Sequence, residues 1–409
     1  MLNFFLLHRK ELRLNYFNDT NNELFTRELL KAGGFGFNIH DATNSYLGEL
    51  IERVTLLVPF LDNIEVYTEK FLTTKGYNYI SIQDLINSKH AIPITNNVNY
   101  KDLNEKIYIP YVKGKILPSN ETVYVPAYAV YFNHNFVDKN IVKPNKSLLK
   151  YIKFLTTSNG VAAGASKDFA ISRSIMEIIE RHDFMILWLT SSAMEPLAIY
   201  ELPNLTIYIG KFNTLDGNYE SIFSIFLRKD EPKFGIGGAS DYDHDRSIIR
   251  SLKEVLASYL SLIYYRDFYV NKDIKELKRF DNFETNTIFY SISEGYNQIH
   301  PVISNILMKF SSIKKSFYLD FIDLIRGSES TKIQNVYSIT PIENLIKLNN
   351  LNIILIEIPT FIEDIYVYKA LSLELLPLPI PEYTKYLVDH NFIIKNNIKV
   401  KNTLPHPYP

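Results

Sequence analysis

Two strings of one kind recur along the chain: Gly48-Glu49-Leu50-Ile51-Glu52-Arg53 and Met176-Glu177-Ile178-Ile179-Glu180-Arg181. Each has two glutamates three positions apart and an arginine four after the first, so on a helix the acids share a face and the arginine joins them. Taken alone, such a string is a solvated face with an ion pair worth about 0.5 kcal/mol. That reading fits the first copy, whose acids wind away from an apolar stripe of Tyr46, Leu47, Leu50, Ile51, Val54 and Val58. It does not fit the second. Met176, Phe184, Leu187 and Trp188 fall on the same side as Glu177 and Glu180, while Ile171, Ile175, Ile178 and Ile179 fill the other. A helix apolar nearly all round is buried, and two carboxylates buried with it cost several kcal/mol unless cations or donors meet them. Arg181 answers only part of that charge. If the two helices meet, Glu49, Glu52, Glu177 and Glu180 make an oxygen-rich claw suited to hard divalent cations such as Mg²⁺, which also accept phosphate oxygens.

Further candidates follow. Gly235-Ile236-Gly237-Gly238-Ala239-Ser240 reads as a glycine turn feeding a helix that carries Arg250 and Glu254 at i and i+4. Base before acid is the poorer order for a surface pair, and such a turn can offer backbone N–H groups to a phosphate. Ser158-Asn159-Gly160, with Gly164, precedes the second claw as a turn or a phosphate nest. There is no G-x-x-x-x-G-K-[ST], no complete dinucleotide fingerprint at Gly33-Gly34-Phe35-Gly36, no H-E-x-x-H and no G-x-S-x-G. ATP, if used, is not held by a P-loop. His182 reads as a core or supporting histidine.

The elements that must position these groups are helices over Asp41 to Val58, Lys167 to Leu189 and Asp245 to Tyr265. Strands are expected over Thr122 to Phe132, Leu205 to Ile209, Ser221 to Leu227 and Asn352 to Ile358. An α+β fold follows. Asparagine-rich breaks at Asn18 to Asn22, Asn96 to Asn99, Asn140 to Asn145 and Asn349 to Asn352 are too short for linkers, so residues 1–395 read as one domain. Residues 396–409 read as an extended tail that leaves the body and ends Pro405-His406-Pro407-Tyr408-Pro409.

With 409 residues and 46% hydrophobic composition, the chain can bury a sizeable core. Its 44 basic and 45 acidic residues sum to -1, which provides no global field for nucleic acid. The absence of cysteine excludes disulfides, thiolate metal sites and a cysteine nucleophile. No run reaches the ~18 apolar residues that span a bilayer, and Met1 to Leu7 is too short for a signal segment. Neither membrane insertion nor export is expected, and the expected location is cytoplasmic.

The two Glu-x-x-Glu-Arg strings, Gly34-Phe35-Gly36 before the first, Ser158-Asn159-Gly160 before the second and Arg250-x-x-x-Glu254 on a third helix together resemble the YcaO family. The resemblance implies a single YcaO-type domain with mixed sheets and long helices around a non-P-loop ATP site. Glu49, Glu52, Glu177 and Glu180 would coordinate Mg²⁺. Arg53, Ser158, Asn159, Arg181, Arg250 and Glu254 would hold ATP. The terminal Pro405-His406-Pro407-Tyr408-Pro409 looks like the P-x-P-x-P ending of azoline-forming members, which are cyclodehydratases of ribosomally made peptides. It implies catalytic roles for Pro405, His406, Pro407 and Pro409, with His406 or the Pro409 carboxylate as base, and a tail that serves chemistry rather than folding. The inner Pro377-Leu378-Pro379-Ile380-Pro381 is taken as structural. Where many members read S-N-G-x-S-A-G-N-T, this chain departs at Ala162 and Ala165, and Phe169 replaces an acid.

In the implied reaction a Cys, Ser or Thr side chain of a precursor peptide attacks the preceding amide, whose oxygen is phosphorylated by ATP and leaves as phosphate, giving thiazoline or oxazoline. The expected partners are that peptide, a ThiF-like leader-binding protein and an FMN-dependent azoline dehydrogenase. A homodimer is also allowed. The alternatives are thioamide or macroamidine formation, or a non-catalytic scaffold that binds nucleotide or leader peptide.

Overall fold

The computed structural model describes residues 5–9, 32–94, 105–141, 148–269, 274–317, 320–321, 323–325 and 338–409. The breaks at Asn18 to Asn22 and Asn96 to Asn99 lie outside these residues. The strands are β1 (Phe5–Arg9), β2 (Ala32–Gly36), β3 (Glu65–Tyr67), β4 (Ala91–Pro93), β5 (Ile109–Leu117), β6 (Glu121–Pro126), β7 (Ile152–Phe154) and β8 (Val161–Gly164). They continue with β9 (Glu195–Leu202), β10 (Leu205–Lys211), β11 (Glu220–Leu227), β12 (Phe234–Asp241), β13 (Ser316–Phe317), β14 (Ile353–Ile358) and β15 (Tyr366–Leu371).

One main sheet runs β3-β5-β14-β15-β8, with β6 also paired to β5; the other runs β12-β11-β10-β9-β13. Pairing is antiparallel except where β13 joins β9. The expected strand from Thr122 to Phe132 stops at Pro126, where a 3₁₀ turn over Ala127–Ala129 takes over. Proline has no N–H to continue the ladder, which explains the early end.

The element shared by both sheets is the second claw helix, Lys167–Thr190, capped by Ser166 and ended by Ser191 in the left-handed region. Its first half places Ile175, Met176 and Ile179 among Ile353, Leu355 and Ala370 of β14 and β15. Its second half places Phe184, Leu187 and Trp188 among Ile207, Ile222, Phe223 and Ile236 of β10 to β12. The all-round apolar pattern is thus a helix buried between sheets. The first claw helix, Ile39–Leu57, lies on β2 and reaches β8. Leu47 is exposed, so the stripe expected from periodicity is not the buried face. The glycines of β2 decide the orientation instead: a Cβ on Gly34 would stand 2.2 Å from Ala42 O, so only glycine lets the helix sit this close.

The run Gly235 to Ser240 is not a turn. It lies within β12, all of whose residues are buried, under the third long helix, His244–Tyr269. A Cβ on Gly237 would come 2.5 Å from Val255 N, so these glycines permit close helix-on-strand packing. Lys253 on that helix pairs with Asp41 on the first claw helix at 2.8 Å, joining the two. No described helix is long and apolar enough to cross a membrane.

The tail has no helix or strand, and it is packed into the body rather than leaving it. Lys401 N and Asn402 N donate to Leu189 O at 2.8 and 3.0 Å, and Trp188 Nε1 donates to Leu404 O at 2.9 Å. His406, Pro407 and Tyr408 are buried. Prolines keep the segment straight without internal hydrogen bonds, while the rings between them supply the apolar area that draws it inward. Deleting Pro405 to Pro409 therefore removes a core tyrosine, the acceptor of the Asn286 side chain and one donor to Thr384. The truncated chain should lose about 3–5 kcal/mol of stability, seen as a lower urea midpoint. An unchanged midpoint would contradict this burial.

Candidate active site

The two claws face each other across β8. Glu49 is held by Gly33 N–H at 2.9 Å and by Arg53, whose Nε and Nη2 lie 2.8 and 2.5 Å from Oε1. Glu52 accepts from Ala163 N–H at 2.9 Å, and its charge interacts with that of Glu177. On the second helix Glu177 is largely buried and Glu180 is 2% exposed. Arg181 Nη2 lies 3.7 Å from Glu177 and its Nε 3.7 Å from Glu180, ion pairs too long to be hydrogen bonds. From the third helix, Glu254 accepts from Gly238 N–H at 3.1 Å and interacts with Glu180. The acids so form two opposed pairs, Glu52 with Glu177 and Glu180 with Glu254, beside Glu49.

Burial is the main force on these groups. It pushes the Glu52 carboxyl up to about 8, with Glu177 adding to the push. Glu254 rises to about 8 through burial and then Glu180. Glu177 rises to about 7 through burial, against the pull of Arg181.

The cations are no better satisfied. Arg173 Nη1, Arg181 Nε and Nη1 and Arg250 Nη1 are buried without a hydrogen-bond partner. Two small cavities lie beside these arginines. One, of about 40 Å³, is lined by Thr157, Asn159, Arg181, Lys369, Leu378 and Pro379. The other, of about 120 Å³, is lined by Ser172, Arg173, Asp241, Tyr242, Arg246 and Ser338, and Ser172 Oγ and Tyr242 Oη there have no partner.

Among the described residues, no three acidic or histidine side chains gather closely enough to hold a metal ion by themselves. Mg²⁺ is usually bound by one or two carboxylates, with substrate phosphates and waters completing its shell. Carboxylates in pairs, with open guanidinium donors between them, fit such a metal–phosphate group. Arg250, on the third helix, stands 3.7 Å from Asp241.

The remaining expected residues lie differently. Ser158 O accepts from Val161 N–H in a turn, and the Asn159 side chain donates to Leu378 O at 2.7 Å, toward the inner proline run. His406 is turned from the claws: Nε2 lies 2.8 Å from Pro379 O, and burial pushes the ring down to about 4. Pro405 and Pro407 hold the tail straight, and Pro409 is exposed. His182 is a core histidine whose Nδ1 accepts from Leu376 N–H.

Three residues were missed. Lys369, 3% exposed, donates to Thr157 O at 2.9 Å and braces the turn before the second claw. Asp183 accepts from Tyr219 at 2.9 Å, Ser221 at 2.5 Å and Thr214 N at 2.9 Å, pinning the claw helix to β11. Its place three after Glu180 was a usable signal. Tyr408 donates to Glu180 Oε1 at 2.8 Å, which no spacing could reveal.

A pH dependence follows from the buried acids. Glu52, Glu177 and Glu254, with Asp183 pushed up to about 7 by burial, hold protons in the fold that the unfolded chain has released. Where the folded state binds more protons, stability falls as pH rises. The buried His90, His134, His182, His390 and His406, all pushed down by burial, oppose this only below their unfolded value of about 6.5. The thermal midpoint of metal-free protein should therefore decline between pH 6.5 and about 8. A flat or rising midpoint across that window would count against buried claws.

Comparison with known proteins places the chain in a family. The model of YcaO cyclodehydratases, described as ATP- and Mg²⁺-binding, matches residues 33–304. No curated protein matches the sequence. Among solved structures, YcaO from Methanopyrus kandleri bound with AMPPCP and Mg²⁺ aligns over 93% of this chain and 84% of its own, at 14% identity and a TM-score of 0.53. The E. coli microcin synthetase McbBCD complex aligns over 85% of this chain and 82% of its own chain, at 14% identity and a TM-score of 0.58. The heterocyclase TruD aligns over 90% of this chain but 50% of its own, at 15% identity and a TM-score of 0.52. These likenesses carry the fold; the family match carries the membership, and the chain belongs to the YcaO family of ATP- and Mg²⁺-binding cyclodehydratases.

Proposed function

We propose that this chain activates backbone amides of a ribosomally made precursor peptide by ATP-dependent phosphorylation and closes Cys, Ser or Thr side chains onto them as thiazoline or oxazoline. The observation that carries the reading is a site whose charges do not satisfy one another. Acids raised by burial stand beside Arg173, Arg181 and Arg250, whose donors are open. A phosphate chain with divalent metal supplies acceptors to the arginines and positive charge to the acids at once.

The side-chain sulfur or oxygen gives up its proton and bonds to the carbonyl carbon, the amide oxygen takes the γ-phosphoryl group as the bond to ADP breaks, and phosphate then departs with the amide oxygen as the ring nitrogen loses its proton to leave the C=N bond. When bound, Mg²⁺ supplies charge neutralisation at the transferring phosphoryl, and one or two at a time of the carboxylates of Glu49, Glu52, Glu177, Glu180 and Glu254 would hold it, together with phosphate oxygens. The chain's own part is placement. Gly33, Ala163 and Gly238 fix the carboxylates through backbone N–H groups, and the guanidinium groups aim donors at phosphate oxygens. His406, enclosed and bonded to Pro379, is poorly placed as the base, which leaves the exposed Pro409 as the tail's candidate.

The leader-binding task falls to a ThiF-like partner, and any oxidation of azoline to azole to an FMN-dependent dehydrogenase. Thioamide and macroamidine formation would use the same activation. A scaffold role finds support in Phe169, whose ring packs where a Cβ on Gly164 would stand, so that no acid fills this position.

Incubating the full chain with a Cys/Ser/Thr-rich precursor, the partner and Mg²⁺-ATP should release ADP and remove the mass of one water per ring. Glu177→Gln or Glu180→Gln should lower this turnover by about 100-fold or more, and omission of the partner should leave it slow. Peptide-dependent ADP release at the normal rate in both variants would sink the metal assignment. A different mass change would move the reading to another YcaO reaction, and no ADP release at all would favour the scaffold.

A further inference from the structure

The prolines of the tail deliver one phenol to the centre of the acid cluster. Tyr408 is fully buried. Its ring lies between the Arg181 guanidinium, 4.4 Å from the ring centroid, and Phe184, 4.4 Å between centroids. Its hydroxyl is 2.8 Å from Glu180 Oε1 and 3.5 Å from Glu254 Oε2. The phenol O–H is the donor in the contact with Glu180.

The surroundings are cut to this oxygen. Gly238 on β12 gives its N–H to Glu254 at 3.1 Å, and a Cβ at Gly238 would stand 2.4 Å from Tyr408 Oη. One backbone position thus fixes Glu254 and makes room for the phenol. Glu180 and Glu254 come from different helices and repel each other. The phenol holds Glu180 by one oxygen, Oε1, and no other hydrogen bond is made by its second oxygen among the described residues. Packing alone would be served equally by phenylalanine; a hydroxyl placed between two acids, opposite a glycine, is not explained by packing.

We propose that Tyr408 is a positioning residue that sets the Glu180 and Glu254 carboxylates for a divalent metal, so that the tail takes part in building the metal site. The inference rests on the assignment of those acids to Mg²⁺ made above. It separates the tail's role into two: His406 clips the segment to Pro379, and Tyr408 reaches the acids. Groups that orient metal-ligating side chains typically contribute 10- to 100-fold in metal affinity, so about tenfold is expected here.

The test uses the full-length protein with Mn²⁺ as the probe, at saturating β,γ-methylene ATP, with bound metal measured by electron paramagnetic resonance. Tyr408→Phe keeps the ring between Arg181 and Phe184 and should still unfold in one cooperative transition. Its Mn²⁺ affinity should fall about tenfold, with binding of the ATP analogue little changed. Tyr408→Leu should lose stability as well, which separates ring packing from the hydroxyl. Unchanged Mn²⁺ affinity in a folded Tyr408→Phe protein would overturn the proposal. So would failure of that variant to fold, since the hydroxyl would then be a determinant of the fold. Absence of Mn²⁺ binding in the unaltered protein would instead overturn the metal assignment itself, which keeps the two failures distinct.

Discussion

Carboxylates on a helix that also forms the middle of the core are the constraint on which the rest of this structure depends. Glu177 and Glu180 ride on Lys167–Thr190, whose other faces hold both sheets together. The helix cannot turn its acids to water without giving up Ile175, Ile179, Leu187 or Trp188. An uncompensated carboxylate in such a place is costly. The surroundings therefore have to bring donors to this neighbourhood: Arg181 from the helix itself, Tyr408 from the distant tail, and Ala163 and Gly238 for the facing acids. What remains unsatisfied, the open arginine donors above all, is the part of the site that a ligand can use.

This explains which features were legible in the sequence. The second claw could be recognised because its acids sit in an otherwise apolar helical pattern, a local contradiction visible without any structure. The three long helices and the strands β10, β11 and β14 were equally open to periodicity. The first claw was misjudged because its orientation is set by Gly34 against Ala42 and by the hydrogen bond of Glu52 to Ala163, not by its own stripe. Gly235 to Ser240 reads as a turn in the sequence because glycine signals both freedom and closeness, and here closeness to Glu254 and Val255 is what β12 requires. Lys369 and Tyr408 act across the fold, and no short-range pattern encodes a partner roughly two hundred positions away.

The tail shows how little the extended form of a segment says about where it lies. Its prolines fit a straight backbone both in solvent and in a groove. The difference lies in Trp188, Asn286, Thr384 and Pro379, which supply partners to a segment that cannot satisfy its own backbone. Because Tyr408 packs on Phe184 and also bonds Glu180, stability and site geometry share a residue. Lost activity after truncation would therefore not by itself assign a chemical role to the tail.

The departures at Ala162, Ala165 and Phe169 gain a physical meaning from the same bookkeeping. Losing polar side chains before the second claw removes possible ligands, but the contact that holds Glu52 comes from the backbone N–H of Ala163. A backbone donor does not depend on the side chain of its residue, so alanines on β8 leave that contact intact so long as the strand stays paired with β15. Gly160 is the position without such latitude. It has φ of 72°, and a Cβ there would meet Ala370 O at 2.5 Å and Ile178 Cγ2 at 2.6 Å. A side chain at Gly160 would push the turn away from the claw helix, whereas alanine at 162 or 165 only simplifies the lining. Conformation and close approach, more than side-chain chemistry, are therefore what this stretch must preserve for the acids to stay in place.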